Sequence, residues 1–127
     1  MEKIVMIGGR EVKLRATAAV PRLYRMKFNR DLIKDTLRVQ KIFDDAKAAN
    51  PDGDSEKIGL SSLQEMDLSL FENIAYIMAR HADPQKVPND PEDWLAQFEG
   101  MELYASMGEI LGFWADSMKG SVQAKKN

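Results

Sequence analysis

The residue types that carry chemistry are sparse in this chain. His81 is the only histidine, and Asp83 follows two residues later, a pair that could in principle serve general-base catalysis. There is no cysteine, and no serine sits in a Gly-x-Ser-x-Gly elbow, so a small hydrolase is poorly supported. A histidine closing a helix, where the dipole favours its protonated form, is the simpler reading. Asp52, Asp54 and Glu56 alternate like metal ligands. On a calcium-loop template starting at Asp52, however, Lys57 takes the place of the glycine and Leu63 that of the bidentate glutamate, so the stretch reads as a solvated loop. Gly8-Gly9 is followed by no Gly-Lys-Ser/Thr and opens no helix, so it reads as a hairpin turn rather than a phosphate loop. Thiolate and multi-histidine metal sites are excluded, and no cofactor is expected.

Charge is the stronger signal. The net charge of −2 hides an asymmetry: residues 1–50 carry 12 Lys/Arg and 6 Asp/Glu, whereas residues 51–120 carry 4 and 14. Arg22, Tyr24, Arg25, Arg30, Lys34 and Arg38 form a candidate partner-binding face, with Lys27, Phe28 and Lys41 interleaved. A basic run with aromatics can mark a nucleic-acid interface. Asp31 and Asp35 interrupt it, the isoelectric point is about 5.4, and no nucleic-acid motif appears, so a protein-binding face is favoured. A small helical DNA- or RNA-binding regulator is the alternative. The split also leaves head-to-tail association of copies open.

These residues need elements to hold them. Residues 1–15 read as a β-hairpin: Ile4 to Ile7 is β-rich and Glu11 to Arg15 alternates. A loop with an even number of residues, such as Gly8-Gly9, puts Val5, Ile7, Val12 and Leu14 on one face; an odd loop would split them. Pro21 fits the first turn of a helix with Leu23 and Met26 at apolar spacing, and Asn29 tolerates the left-handed residue that ends it. A helix over Arg30–Ala49 carries Ile33, Leu37 and Phe43 as its apolar stripe, widened by Leu32, Val39, Ile42 and Ala46, with Lys34, Arg38 and Lys41 on the other side and Asp31 and Asp35 in its first turns.

Capping boxes at Ser61 and Ser62 start a helix to about Ala82. It is apolar over most of its girth, with a narrow polar strip through Glu65, Ser69, Glu72, Asn73, Tyr76 and Arg80, and is therefore central. Asp90-Pro91-Glu92-Asp93 starts another, with Trp94, Leu95 and Phe98 apolar and Gly100 closing it. The last helix spans about Glu102 to Lys119 and ends at Gly120. Its Gly108 and Gly112 mark close helix approach or a kink. Phe71, Ile74, Met78, Leu111 and Trp114 are the expected core.

The chain of 127 residues is thus expected to be mainly α (α+β), an N-terminal β-hairpin followed by a compact bundle of four to five helices. The expected organisation is one globular domain over 1–120, with the hairpin at 1–15 and the helical part at 18–119, and a flexible basic tail over 121–127. The 44% hydrophobic and 30% charged composition is that of a globular protein. No apolar run reaches the roughly 18–20 residues that span a bilayer, and the N-terminus meets Gly8 too early for a signal segment, so a cytosolic protein is expected. Eight methionines add adaptable packing surface.

Ala16-Thr17-Ala18-Ala19-Val20-Pro21-Arg22-Leu23-Tyr24-Arg25, continuing into Phe28-Asn29-Arg30-Asp31-Leu32-Ile33, resembles the tail assembly chaperones of long, non-contractile-tailed bacteriophages and prophages of Gram-positive bacteria (siphoviruses). Leu70-Phe71-Glu72-Asn73-Ile74-Ala75-Tyr76-Ile77-Met78-Ala79 and Trp94-Leu95-Ala96-Gln97-Phe98 are similar to the same pattern. The resemblance implies a non-enzymatic virion-assembly role in the host bacterial cytoplasm: binding the tape measure protein and bringing major tail tube protein to it, while remaining absent from the mature virion. It also implies a longer form made by translational frameshift, which the Lys125-Lys126-Asn127 ending would suit. No catalytic residues carry over.

Overall fold

The computed structural model describes residues 1–49 and 68–126, without the side chains of 39, 40, 42–47, 49 and 119–126. The expected helix start at Ser61 or Ser62 lies outside the described residues.

Strands β1 (Glu2–Ile7) and β2 (Arg10–Arg15) pair antiparallel, with Ile7 opposite Arg10, Val5 opposite Val12 and Lys3 opposite Leu14. Only Gly8-Gly9 lies between them, and both residues have positive φ, 58° and 79°, as a two-residue hairpin turn compatible with strand twist requires. The even loop puts Val5, Ile7, Val12 and Leu14 on one face, and all four are buried. The other face carries the Arg15–Glu2 ion pair at 2.6 Å and leaves Ile4 and Met6 exposed. The Met1 ammonium donates to the Ala16 carbonyl at 3.1 Å and the Ala16 amide donates to that of Met1 at 2.9 Å, closing the open end of the ladder.

Helix α1 (Val20–Phe28) has its proline in the first turn and ends on Asn29, whose φ of 57° lets its amide reach back to the Arg25 carbonyl at 2.8 Å. Helix α2 (Leu32–Ala49) is capped by Asp31, which accepts from the amides of Ile33 and Lys34 at 3.0 and 3.2 Å. Helix α3 (Leu68–Ala82) is central: Leu70, Phe71 and every residue from Ile74 to Ala79 are buried. Strand β2 and helix α1 lie against it, together with α4 (Pro91–Leu95) and α6 (Met107–Lys126). Helix α4 is capped by Asp90, which accepts from the Glu92 amide at 2.9 Å. The single turn α5 (Glu102–Ala105) precedes α6 and is fastened to α3 by the Tyr104 hydroxyl donating to the Glu72 carboxylate. All five expected core residues are buried, with Ile110, Leu103 and Met107 beside them. No helix of the described residues is long and apolar enough to cross a membrane.

Several expectations shift. The inward face of α1 is Val20 and Tyr24, while Leu23 is half-buried and Met26 stands out in solvent. On α2, Leu32 is buried but Ile33 and Leu37 are exposed. The cause is two polar-tipped aromatics. Buried hydroxyl and indole N–H groups need acceptors. The Tyr24 hydroxyl donates to Asp35 at 3.3 Å and Trp114 Nε1 to Thr36 at 3.1 Å, so α2 turns Asp35 and Thr36 inward and Ile33 and Leu37 outward. Tyr76, expected on the polar strip, is buried with its hydroxyl on the Pro88 carbonyl at 2.7 Å.

Helix α4 stops at Leu95, although Gly100 does take a left-handed φ of 51° in the turn that follows. The last helix is broken at Ser106, and Gly120 does not end it, since α6 runs to Lys126; a glycine inside a helix costs only about 1 kcal/mol. Among the described residues, a Cβ at Gly108 or Gly112 would meet nothing within 4 Å, so neither marks a close approach to a described helix.

Candidate docking surfaces

Of the six residues expected on a basic docking face, Arg22, Arg25, Arg30, Lys34 and Arg38 are exposed. Tyr24 is not among them. It is buried, its ring lies 5.2 Å from that of Phe28, and burial together with the Asp35 charge pushes its hydroxyl up to about 12. It begins an aromatic ladder from Phe28 to Tyr76, Trp94 and Phe98 at 6.4, 5.9 and 5.0 Å, ending under the Arg10 guanidinium at 5.8 Å. Tyr24 is thus a positioning element: its hydrogen bond fixes the rotation of α2.

Arg30 and Arg38 are partly committed as well. Arg30 makes a two-pronged contact with Asp35, 3.0 and 3.1 Å, and Arg38 approaches the same carboxylate at 3.6 Å. The Arg30 hydrogen bonds hold the Asp35 carboxyl below its usual range despite burial. Among the described residues, no carboxylate lies within salt-bridge distance of Arg22, Arg25, Lys27 or Lys34.

The rotation of α2 creates a surface that periodicity did not anticipate. Ile33 (41% exposed) and Leu37 (60% exposed) stand one turn apart, with exposed Lys34, Arg38 and Lys41 along their flank. Residues three, four and seven apart share a helix face. The stripe is therefore apolar along one edge and cationic along the other.

Two grooves adjoin the core. One, of about 360 Å³, lies between the hairpin and α4, where Arg10, Lys13 and Lys86 are offset by Glu11 and Asp83. The other, of about 370 Å³, lies between α1 and α3. Leu23, Met26, Ile77 and Pro84 supply its apolar lining and Lys27 and Arg80 its charge, and among the described residues no carboxylate lines it. Both cations are held in place by carbonyls of the 83–90 turn, Lys27 by Asn89 at 2.7 Å and Arg80 by Val87 at 2.8 Å. Sequence pattern gave no signal for this groove, because its lining alternates between two helices distant in the chain.

His81, at the end of that groove, is not a general base paired to Asp83. Its Nε2 meets the Thr17 hydroxyl at 2.8 Å, while the Asp83 carboxylate accepts from the Lys86 amide at 3.3 Å. Burial, and then the Arg15 charge, push its pKa below the ordinary value, which works against a dipole-stabilised cation there. No cluster of three metal-ligating side chains occurs among the described residues, and Asp52, Asp54 and Glu56 lie outside them.

Comparison with protein-family models, with curated proteins and with solved structures gives no match in any of the three.

Proposed function

We propose that this chain is a bacteriophage tail assembly chaperone that holds the tape measure protein in the bacterial cytoplasm and brings tail tube subunits to it. The observation that supports this most directly is the α2 stripe, Ile33 and Leu37 flanked by Lys34, Arg38 and Lys41. An amphipathic client helix with acidic residues beside its apolar seam is complementary to it in both respects. A single such stripe is a small contact and holds weakly. Many copies along one long helical chain gain avidity without any tight individual contact, and each still releases when the tube grows. A helix advances 1.5 Å per residue, so a client of many hundreds of residues offers room for many domains of 14.4 kDa.

Co-expression with the cognate tape measure protein tests this. The chain keeps that protein soluble and co-purifies at more than one copy per client, and Leu37→Glu lowers the yield of complex more than Arg22→Glu does. Reversal of Arg22, Arg25 and Arg38 together weakens capture. Failure to solubilise the client, combined with salt-sensitive binding to duplex DNA or RNA, overturns the proposal in favour of a nucleic-acid regulator.

A further inference from the structure

The groove between α1 and α3 is walled on one side by a fixed pair of cations. Three consecutive carbonyls of the 83–90 turn accept from three residues that line it: Val87 from Arg80 at 2.8 Å, Pro88 from the Tyr76 hydroxyl at 2.7 Å and Asn89 from Lys27 at 2.7 Å. Cα atoms two residues apart lie within about 7 Å of each other. A guanidinium from α3 and an ammonium from α1 therefore converge on the same short piece of backbone. A neutral carbonyl takes up one N–H and leaves the charge in place. Asp83 and Asp90, at the two ends of the turn, direct their carboxylates to the amides of Lys86 and Glu92 at 3.3 and 2.9 Å. Among the described residues, no carboxylate lines the groove or lies within salt-bridge distance of Lys27 or Arg80.

The rest of the lining is apolar, with Leu23 and Met26 from α1, Ile77 from α3 and Pro84 from the turn. An apolar body with a few convergent polar groups is the usual make-up of a ligand site, and a space of about 370 Å³ is at the small end of the range. At about 30 Å³ per water it holds on the order of a dozen waters, room for one or two residues and too little for a helix. Its rim is open, with Met26 70% exposed and Lys27 and Pro84 exposed beside it, so a group seated there stays joined to a chain outside. One apolar side chain next to one carboxylate answers both parts of the lining. A polypeptide C-terminus carries the two on a single carbon, whereas an internal acid beside an apolar residue would bring chain on both sides into the same small space. Carboxylates held by Arg and Lys form charge-assisted hydrogen bonds, the stronger kind.

We infer that the α1/α3 groove binds the C-terminal residue of a polypeptide that ends on an apolar side chain, with the carboxylate at Lys27 and Arg80 and the side chain among Leu23, Met26 and Ile77. Ile33 and Leu37 take no part in this contact, so it stands whether or not the α2 stripe holds a client.

His81 lines the groove and is the only histidine, so its ring-proton resonances report occupancy without ambiguity. The probe is the peptide acetyl-Gly-Ser-Leu with a free carboxylate, titrated into the full chain. It moves the His81 signals saturably. The same peptide amidated at its C-terminus binds about tenfold or more weakly, and so does acetyl-Gly-Ser-Ser. Lys27→Gln, at an exposed position and still able to donate to the Asn89 carbonyl, weakens binding by about threefold or more. Met26→Glu, which sets a carboxylate on the rim, weakens it by about tenfold. Both variants keep the wild-type urea midpoint. Absence of any saturable shift overturns the inference, as does an amidated peptide that binds like the free acid, or Lys27→Gln binding like wild type. Hexanoate binding where the peptide does not also overturns it, and makes the groove a site for a free small acid.

Discussion

The hairpin side and the α1–α2 corner bury their surfaces in opposite ways. Where β2 lies on α3, the contact is aliphatic on aliphatic and aromatic: Val12 and Leu14 lie on the side of a helix buried over Phe71, Ile74, Ala75 and Met78, with Val5 and Ile7 of β1 in the same core. Where α1 meets α2, the centre is a carboxylate: Asp35 accepts from the Tyr24 hydroxyl and the Arg30 guanidinium, with Arg38 nearby. The first kind of packing is non-directional and leaves its polar residues outside. The second fixes a rotation and drives two apolar residues, Ile33 and Leu37, onto the surface.

The largest effect expected is on the apolar side. Phe71→Ala removes a fully buried ring and should cost about 3–5 kcal/mol, visible as a lower urea midpoint. An unchanged midpoint would mean that the two regions do not differ as described.

At the polar corner, Asp35→Ala leaves the Tyr24 hydroxyl buried without this acceptor and Arg30 without its counterion, an expected loss of about 1–3 kcal/mol. Asp35→Asn, which keeps an acceptor oxygen, costs less. The same carboxylate sets an acid dependence. Its folded pKa lies below the unfolded value of about 3.9, so its stabilisation is complete above that value and is lost as pH falls through the folded pKa. Melting temperature against pH should therefore fall less steeply below about pH 4 in Asp35→Asn than in the wild type.

Much of the hairpin side was legible because a strand period of two and a glycine pair allow few arrangements: Val5, Ile7, Val12 and Leu14 could share a face only with an even loop. The girth of α3 was legible for a similar reason, since a helix apolar all round has to be central. The corner was not, because hydrophobic periodicity treats Tyr24 and Trp114 as greasy and Asp35 and Thr36 as wet. The clue was present in the aromatic tips, two donors that burial obliges to find acceptors. The α1/α3 groove left no trace in the sequence, as Met26 and Ile77 become neighbours only after folding.

Smaller effects sharpen the contrast. Gly8→Ala should cost about 1–2 kcal/mol for the left-handed backbone, and somewhat more than Gly9→Ala, because a Cβ at Gly8 also runs into the Glu102 carboxylate whereas one at Gly9 meets nothing within 4 Å. Thermal melts of the two variants compare them directly. Leu37→Ser should change stability by no more than about 0.5 kcal/mol, as at other exposed sites. A loss of several kcal/mol there would show that Leu37 is core and that α2 is rotated the other way.

The pairing of β2 with α3 also sets a timetable. At about 5–20 residues per second of synthesis, the roughly fifty residues between Arg15 and Leu68 take about 3–10 s to emerge. Through that interval the nascent hairpin has no helix to cover Val5, Ile7, Val12 and Leu14. A bare two-stranded sheet is an invitation to pair with a neighbouring chain. Lys3, Arg10, Lys13 and Arg15 outnumber Glu2 and Glu11 on that segment, and the small net positive charge on every copy opposes such pairing until α3 arrives.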